Sequence, residues 1–365
     1  MRKAWLLALL LTTGACERQS ATPADKAPMP FVQTAVAATR ISGDAAPGSG
    51  QERAEDAGRA LLGQAAPAVV AHTIDGQTVD LAKLYGRKPV YLKFWATWCV
   101  PCRQQMPAFE KDYETLGDKM TVIAVNTGFN DTEARVRAYR EQFGLRMPIV
   151  IDDGALASAL NLRVTPQHVV IGRDGRVLYV GHLEDERLHQ AFDAALRERG
   201  ADIAGRKAAA DPVFAVGDRP HDLSATTMDG QAVSLDGPDH GGRLRALVFF
   251  SPWCESYLAK SRPAASEDCR RTRETVNGLA AQDQVRWLGV SSGLWANADD
   301  LQEYRKSTGT KIPLTLDASG RLFRAFGVRD VPTVVLIDQQ GRIVAKLGPN
   351  HRDLAARIHA EEKTS

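Results

Sequence analysis

The 365-residue chain is poor in aromatic residues, at 7%, and holds only five cysteines. Five cysteines are too few for a disulfide-built scaffold, and a chain of this length can bury hydrophobic cores of its own, so each cysteine needs a separate explanation. The 46 Lys plus Arg stand against 44 Asp plus Glu, a net charge of +2, and no run of five or more basic residues marks a nucleic-acid patch. Nucleic acid is therefore not an expected partner. Apolar runs of the roughly 20 residues needed to span a bilayer are missing too. With 44% hydrophobic and 25% charged residues, the composition is that of soluble globular domains. At about 150 residues per domain, the length accommodates two domains with chain left over.

What is present begins with an address. Arg2 and Lys3 precede an apolar run from Ala4 to Leu11, and the small residues Thr12, Thr13, Gly14 and Ala15 lead to Cys16. Residues 1–15 read as a secretory signal, which places the mature chain outside the cytoplasm. A cysteine directly after Gly14-Ala15 is similar to the bacterial lipoprotein signal. That resemblance implies a lipidated Cys16, a periplasmic location and attachment to a membrane through lipid only. Thr13 departs from the usual Leu, and cleavage after Ala15 that leaves Cys16 as a stray thiol is the alternative. Setting Cys16 aside leaves Cys99, Cys102, Cys254 and Cys269, an even number suited to an exported protein. Residues 16–60 are rich in Ala, Pro, Gly, Ser and charge, and are expected to form a flexible tether spanning about 35 to 40 Å.

The remainder repeats itself. Residues 74–81, IDGQTVDL, recur as 228–235, MDGQAVSL, and each Asp-Gly between alternating apolar residues is a hairpin signal. Val90 to Trp95 before Cys99 corresponds to Ala246 to Phe250 before Cys254. Met147-Pro148 through Asp152 matches Ile312-Pro313 through Asp317, and Pro166 with its apolar run and Gly175-Arg176 matches Pro332 and Gly341-Arg342. Matched landmarks in one order indicate a tandem repeat. The expected domains are 61–200 and 212–359, with 201–211 as linker and 360–365 as tail. In each copy strands alternate with helices, for example a helix from about Asp131 to Phe143, before a Pro-led hairpin. That order predicts an α/β fold with a mixed central sheet, parallel crossovers and flanking helices.

In the first copy Trp98-Cys99-Val100-Pro101-Cys102 follows a buried strand and opens a helix reaching to about Leu116. Cysteines three apart share a helical face and can close a small disulfide, and the free N–H groups and dipole at the helix start favour a thiolate on Cys99. Pro101 fits because early helical positions need no N–H. Cys99 is thus expected to be an exposed nucleophile and Cys102 its resolving thiol. A zinc site would need a second ligand pair, which the sequence lacks, and covalent haem would need His where Arg103 stands. The expected chemistry calls for no metal and no cofactor.

Gly76 to Val79, Phe94 to Arg103, Met106-Pro107 and Val164-Thr165-Pro166 together resemble the thioredoxin-like, membrane-anchored thiol–disulfide reductases of the TlpA type. The resemblance implies a thioredoxin-like domain in each copy and protein clients carrying disulfides, with a membrane or periplasmic electron donor. It also implies a cis Pro166, with Thr165 offering backbone hydrogen bonds to a client strand beside Cys99. Two positions depart from the pattern. Lys93 replaces thioredoxin's buried Asp, and Gln105 stands where relatives often have Glu. Lys93 either supports a buried thiolate or packs its stem and snorkels. His168 is expected to be a residue of the sheet surface.

The second copy keeps Cys254 after Pro252-Trp253 but has Tyr257 in the resolving position. One straight helix would hold Cys254 and Cys269 about 22 Å apart, whereas a break at Ser261-Arg262-Pro263 would let them meet, and the sequence leaves both open. With Pro332 these cysteines form a candidate second thiol site. Thiol relay, client-binding module and, because Ser251 stands three residues before Cys254, a peroxidatic thiol are the competing roles. For the whole chain the expected activity is that of an exported thiol–disulfide oxidoreductase, acting as a reductase. A non-catalytic client-binding scaffold is the alternative.

Overall fold

A computed structural model describes residues 50–198, 206–207, 212–238, 243–282 and 285–364. The expected signal peptide, the lipidation site at Cys16 and most of the tether and linker lie outside the described residues.

The first copy runs α1 (Gly50–Arg59), β1 (Pro67–Ala68), β2 (Val70–His72), β3 (Thr78–Asp80), α2 (Leu81–Leu84), β4 (Val90–Trp95), α3 (Val100–Leu116), β5 (Thr121–Asn126) and α4 (Glu133–Phe143). It continues with β6 (Ile149–Ile151), α5 (Ala155–Ala159), β7 (Gln167–Ile171), β8 (Val177–Gly181) and α6 (Glu186–Arg197). After β9 (Arg206–Lys207) the second copy follows with β10 (Ser224–Thr226), β11 (Ala232–Ser234), β12 (Leu244–Phe250), α7 (Cys254–Ser261), α8 (Pro263–Ala280) and β13 (Val285–Ser292). It ends with α9 (Ala298–Thr308), β14 (Leu314–Asp317), α10 (Arg321–Ala325), β15 (Thr333–Ile337), β16 (Ile343–Leu347) and α11 (Leu354–Thr364).

The main sheets have the same order, β6-β5-β4-β7-β8 and β14-β13-β12-β15-β16. The central strand of each pairs parallel on one side and antiparallel on the other, the mixed sheet expected of two thioredoxin-like domains. All six residues of β4 and all seven of β12 are buried, because helices cover both faces of such a strand. Tyr91 and Trp95 face one core with Met106 and Phe109, while Leu92 and Phe94 face another with Leu81 and Val169. The first of these cores runs on into Leu247, Phe249 and Phe323 of the second copy, and the two copies pack as one compact unit. Each Asp-Gly closes a small hairpin, β2 with β3 and β10 with β11, its glycine at φ +78°.

Two differences from the sequence reading, and one alternative it left open, have local causes. Residues 50–59 of the expected tether form α1, which buries Ala54 and Ala57 against the first copy. Gln51 Oε1 also accepts from the His182 and Leu183 N–H groups at 2.8 and 3.0 Å. Within the expected linker, Arg206–Lys207 pairs parallel with Pro67–Ala68. Finally, the one long helix of the first copy is two in the second. Arg262 leaves helical geometry at φ −144°, ψ 68°, and Pro263 starts α8. The fold-back brings the Cys254 and Cys269 Cα atoms to 6.3 Å, and the two cysteines are disulfide-bonded.

Gly58 of α1 lies so close to β8 that an added Cβ would sit 2.4 Å from the Val180 Cβ, whereas Gly278 of α8 faces open space. Gly58→Ala should therefore destabilise by about 1 to 3 kcal/mol despite its better helix propensity. Gly278→Ala should stabilise by about 0.5 kcal/mol, since only propensity acts there. Urea denaturation midpoints of the two variants should move in opposite directions, and a rise for Gly58→Ala would show that α1 is not docked.

Candidate functional site

The site grows out of the junction between β4 and α3. Cys99 is the N-cap of α3, in extended conformation, and its Sγ accepts from the Cys102 N–H at 3.1 Å. Cys99 and Cys102 are disulfide-bonded, with Cα atoms 5.3 Å apart. The loop leading into β7 brings Thr165 and the cis Thr165–Pro166 bond alongside, and the Thr165 carbonyl oxygen lies 3.3 Å from the Cys99 sulfur. Asp131 ties the loops together by accepting from Thr97 N at 2.8 Å and Asn126 Nδ2 at 2.9 Å. Trp98 Nε1 donates to the Phe129 carbonyl at 2.7 Å.

Beneath the cysteines runs a buried polar chain whose proton positions are set by its partners. Gln105 Nε2 must donate to the His182 carbonyl, at 3.1 Å, which leaves Gln105 Oε1 to accept from His168 Nε2 at 2.9 Å. His168 Nδ1 is then an acceptor for the Tyr91 hydroxyl at 2.6 Å. Burial first, then the nearby Lys93 charge, holds the His168 pKa well below its ordinary value, consistent with a neutral ring. His182 Nδ1 donates to the Pro166 carbonyl at 2.6 Å, so the chain links the cis-proline loop to the helix that carries Cys102.

Lys93, opposite His168 in the β4–β7 register, is 0% exposed. It donates from Nζ to the Gln105 carbonyl at 3.2 Å and lies over the Phe109 ring, 5.0 Å from its centre. Burial pulls its pKa down to about 7, against the opposing pull of the Glu184 and Asp112 carboxylates. Asp112 in turn is pushed up to about 7, chiefly by its own burial. Lys93 therefore does not snorkel, and His168 is not a surface residue but fully buried.

Cys99 is a second correction, since the expected exposed nucleophile is only 1% exposed. Residues of the second copy contact Trp98, Val100 and Thr165 around it. Trp98 packs on Trp253 with ring centres 5.1 Å apart, the Val100 N–H donates to the Tyr257 hydroxyl at 3.1 Å, and Trp295 Nε1 donates to Thr165 Oγ1 at 3.3 Å. The sequence reading assigned no role to Trp295 or Asn130. The signal available was their equivalent place in the repeat, two residues after Gly293 and Gly128.

In the second copy Cys254 starts α7 and is buried, and Val331–Pro332 is likewise cis. Tyr257 turns to the first copy rather than capping Cys254. Ser251 is buried with its hydroxyl unpartnered. A cleft of about 810 Å³ between the copies is lined by corresponding residues, Asp152 with Asp317 and Gly154 with Gly320, and by none of the four cysteines. No described helix is long and apolar enough to cross a membrane.

Comparison with known proteins assigns each copy separately. Residues 61–196 match the Redoxin family and residues 241–343 the family described as Thioredoxin-like. The thioredoxin-like protein YneN of Bacillus subtilis is 37% identical over 134 residues, 36% of this chain and 78% of that protein. The thiol-disulfide oxidoreductase ResA of Halalkalibacterium halodurans is 35% identical over 127 residues, 34% of this chain and 70% of that protein. Among solved structures, a thiol:disulfide interchange protein of the thioredoxin family from Chlorobium tepidum is 27% identical with a TM-score of 0.32, covering 36% of this chain and 96% of that one.

Lys93 supplies a pH test. A lysine near 7 when folded and near 10.4 when unfolded binds fewer protons in the folded state between those values, so the folded state gains stability as pH rises from about 7 to about 10.4. The penalty of burying the charge is fully present below pH 7. Lys93→Met should flatten this rise, and its stability advantage over the parent, of order a few kcal/mol near pH 7, should shrink toward pH 10. Urea titrations of the two oxidised proteins at pH 7, 8.5 and 10 measure it. Parallel curves would contradict a buried, uncharged Lys93.

Proposed function

Because the chain belongs to the thioredoxin-like thiol–disulfide oxidoreductases, we propose that it works as an exported reductase of protein disulfides, with the second copy serving as a client-binding module. The observation that carries the reading is the Cys99–Cys102 disulfide at the start of α3 beside Thr165 and Pro166. In the reduced enzyme the Cys99 thiolate attacks one client sulfur, and the other leaves as a thiolate that takes up a proton. Cys102, as thiolate, then attacks the Cys99 sulfur, and the client departs with two electrons. The enzyme is left with the Cys99–Cys102 disulfide, which an extracytoplasmic dithiol donor reduces again.

Trp98 and Pro101 shape the helix entry, and Thr165 with Pro166 offers the edge against which an extended client segment lies. Gln105 carries no charge, so Lys93, titrating near 7, is the buried group suited to stabilising a thiolate on α3. For the second copy, the binding role is favoured by Tyr257 in the resolving position and by what meets Thr165, which is Trp295 and not a cysteine. A thiol relay is the second reading, and the Cys254–Cys269 disulfide is what favours it. Export rests on the segment before Cys16. Lipidation there would hold the enzyme on a membrane, and Cys16→Ala should then shift it from the membrane fraction to the soluble periplasm. Recovery of the unaltered protein in the soluble fraction would remove the anchor.

Cys102→Ser should accumulate mixed disulfides between Cys99 and clients, while Cys99→Ser should trap none. The Cys99/Cys102 potential, read against glutathione, should fall below about −200 mV, in the range of reducing thioredoxins, whereas a value near −120 mV would mark an oxidant. Trapping that is independent of both cysteines would favour the non-catalytic scaffold.

A further inference from the structure

The faces bearing the two cysteine pairs are turned toward each other, and their contacts obey the internal repeat. Trp295 N donates to the Arg163 carbonyl at 2.7 Å, and the equivalent Asn130 N donates to the equivalent Arg329 carbonyl at 3.0 Å. Trp98 and Trp253, whose indoles touch across the interface, each hold their own copy's corresponding loop, through the Phe129 and Leu294 carbonyls at 2.7 and 2.8 Å. Such reciprocity is the mark of a two-fold interface, here within one chain. Backbone conformation adds an independent sign. Among the described residues only four non-glycines have positive φ, and two of them are Asn130 at +52° and Trp295 at +54°. A bulky residue keeps that conformation only where its surroundings impose it.

We propose that in the resting enzyme the second copy occupies the client-binding face of the first, and that a protein client reaches Cys99 only when the two faces part. The proposal rests on the reading of the protein as a client oxidoreductase. Polar groups on either side of the Thr165 backbone and of Cys99 are already engaged by the second copy: the Arg163 carbonyl and Thr165 hydroxyl by Trp295, and the Val100 N–H by Tyr257. What the second copy presents at Thr165 is the Trp295 indole, so the contact covers the site. Arg262, at the break between α7 and α8, fastens the pairing. Its guanidinium reaches the Asn130 carbonyl and the Thr97 hydroxyl and lies 3.0 Å from Asp131, whose side chain is wholly buried.

The test uses the full-length chain with its cysteines reduced, following N-ethylmaleimide labelling of Cys99 by mass spectrometry. Arg262→Glu sets a second carboxylate against Asp131, and Trp295→Gly removes the indole while suiting the positive φ. Each should speed Cys99 labelling about ten-fold or more, Arg262→Glu because one partner of a charged contact is lost and Trp295→Gly because a large side chain of the interface is, and each should enlarge the radius of gyration by X-ray scattering. Circular dichroism identifies a variant that has not folded, and the two variants fail independently. A wild-type Cys99 that labels as fast as the folded variants, or folded variants with unchanged rate and size, overturns the proposal. If the variants expose Cys99 yet Cys102→Ser in the same background traps no client protein, the closed pairing stands and the client reading fails.

Discussion

The pairing of the central strand dictates where the reactive groups of each copy meet. Because β4 runs parallel to β5 and antiparallel to β7, its C-terminal end lies beside the start of β7, with Phe94 opposite Gln167. The chain must leave β4 into a helix to return for the parallel partner, so a helix N-terminus and the loop before β7 necessarily converge. Cys99 at that N-terminus and Pro166 in that loop meet for this reason, although 66 residues of chain separate the cysteine from Thr165. The same constraint, repeated by β12, β13 and β15, brings Cys254 and Pro332 to the matching edge of the second sheet.

Placing the thiols over a dry core makes the polar groups beneath them expensive unless each is partnered. Tyr91, His168, Gln105 and His182 meet that requirement in series, every donor finding an acceptor along the line from β4 to the cis-proline. Gln105 belongs in such a line better than a carboxylate would, since an amide donates to one neighbour and accepts from the other without a buried charge. Lys93 then remains as the charge-bearing group of this layer, and burial brings its titration to about 7. Replacing thioredoxin's buried acid by a buried base reverses the sign of the charge offered to a thiolate.

Much of this could be read from the residues, and the failures have physical causes. The duplication, the sheet, the Asp-Gly hairpins and the helix start at Cys99 were legible because they depend on local chemistry: alternation, turn glycines and an apolar run that ends at a cap. Residues 50–59 were misread because their Ala and Gly content, which looks like tether, is also what lets a helix pack closely on Val180. The burial of His168 and Lys93 depends on what covers the sheet, which their own sequence neighbours do not report. The Cys254–Cys269 bond turned on one backbone choice at Arg262, and the sequence marks the break without giving the angle. Above all, the contacts that Trp253, Tyr257 and Trp295 make around Cys99 are a property of two domains together, and no motif within either records them.

The departure at Tyr257 acquires its meaning from that joint arrangement. The first N–H groups of a helix have no partner within it, and in an enzyme of this kind they help to stabilise the nucleophilic thiolate. In α3 the Cys102 N–H is directed at the Cys99 sulfur, while the Val100 N–H is taken by the Tyr257 hydroxyl. The residue that stands where a second resolving cysteine would be is therefore spent on the helix terminus of the first site. A cysteine there would restore a second pair but would lack both the reach and the hydroxyl to accept that bond. Cover for the site of the first copy thus comes from the side chain that stands in the resolving position of the second, a copy that keeps its nucleophile position, its cis-proline and its fold.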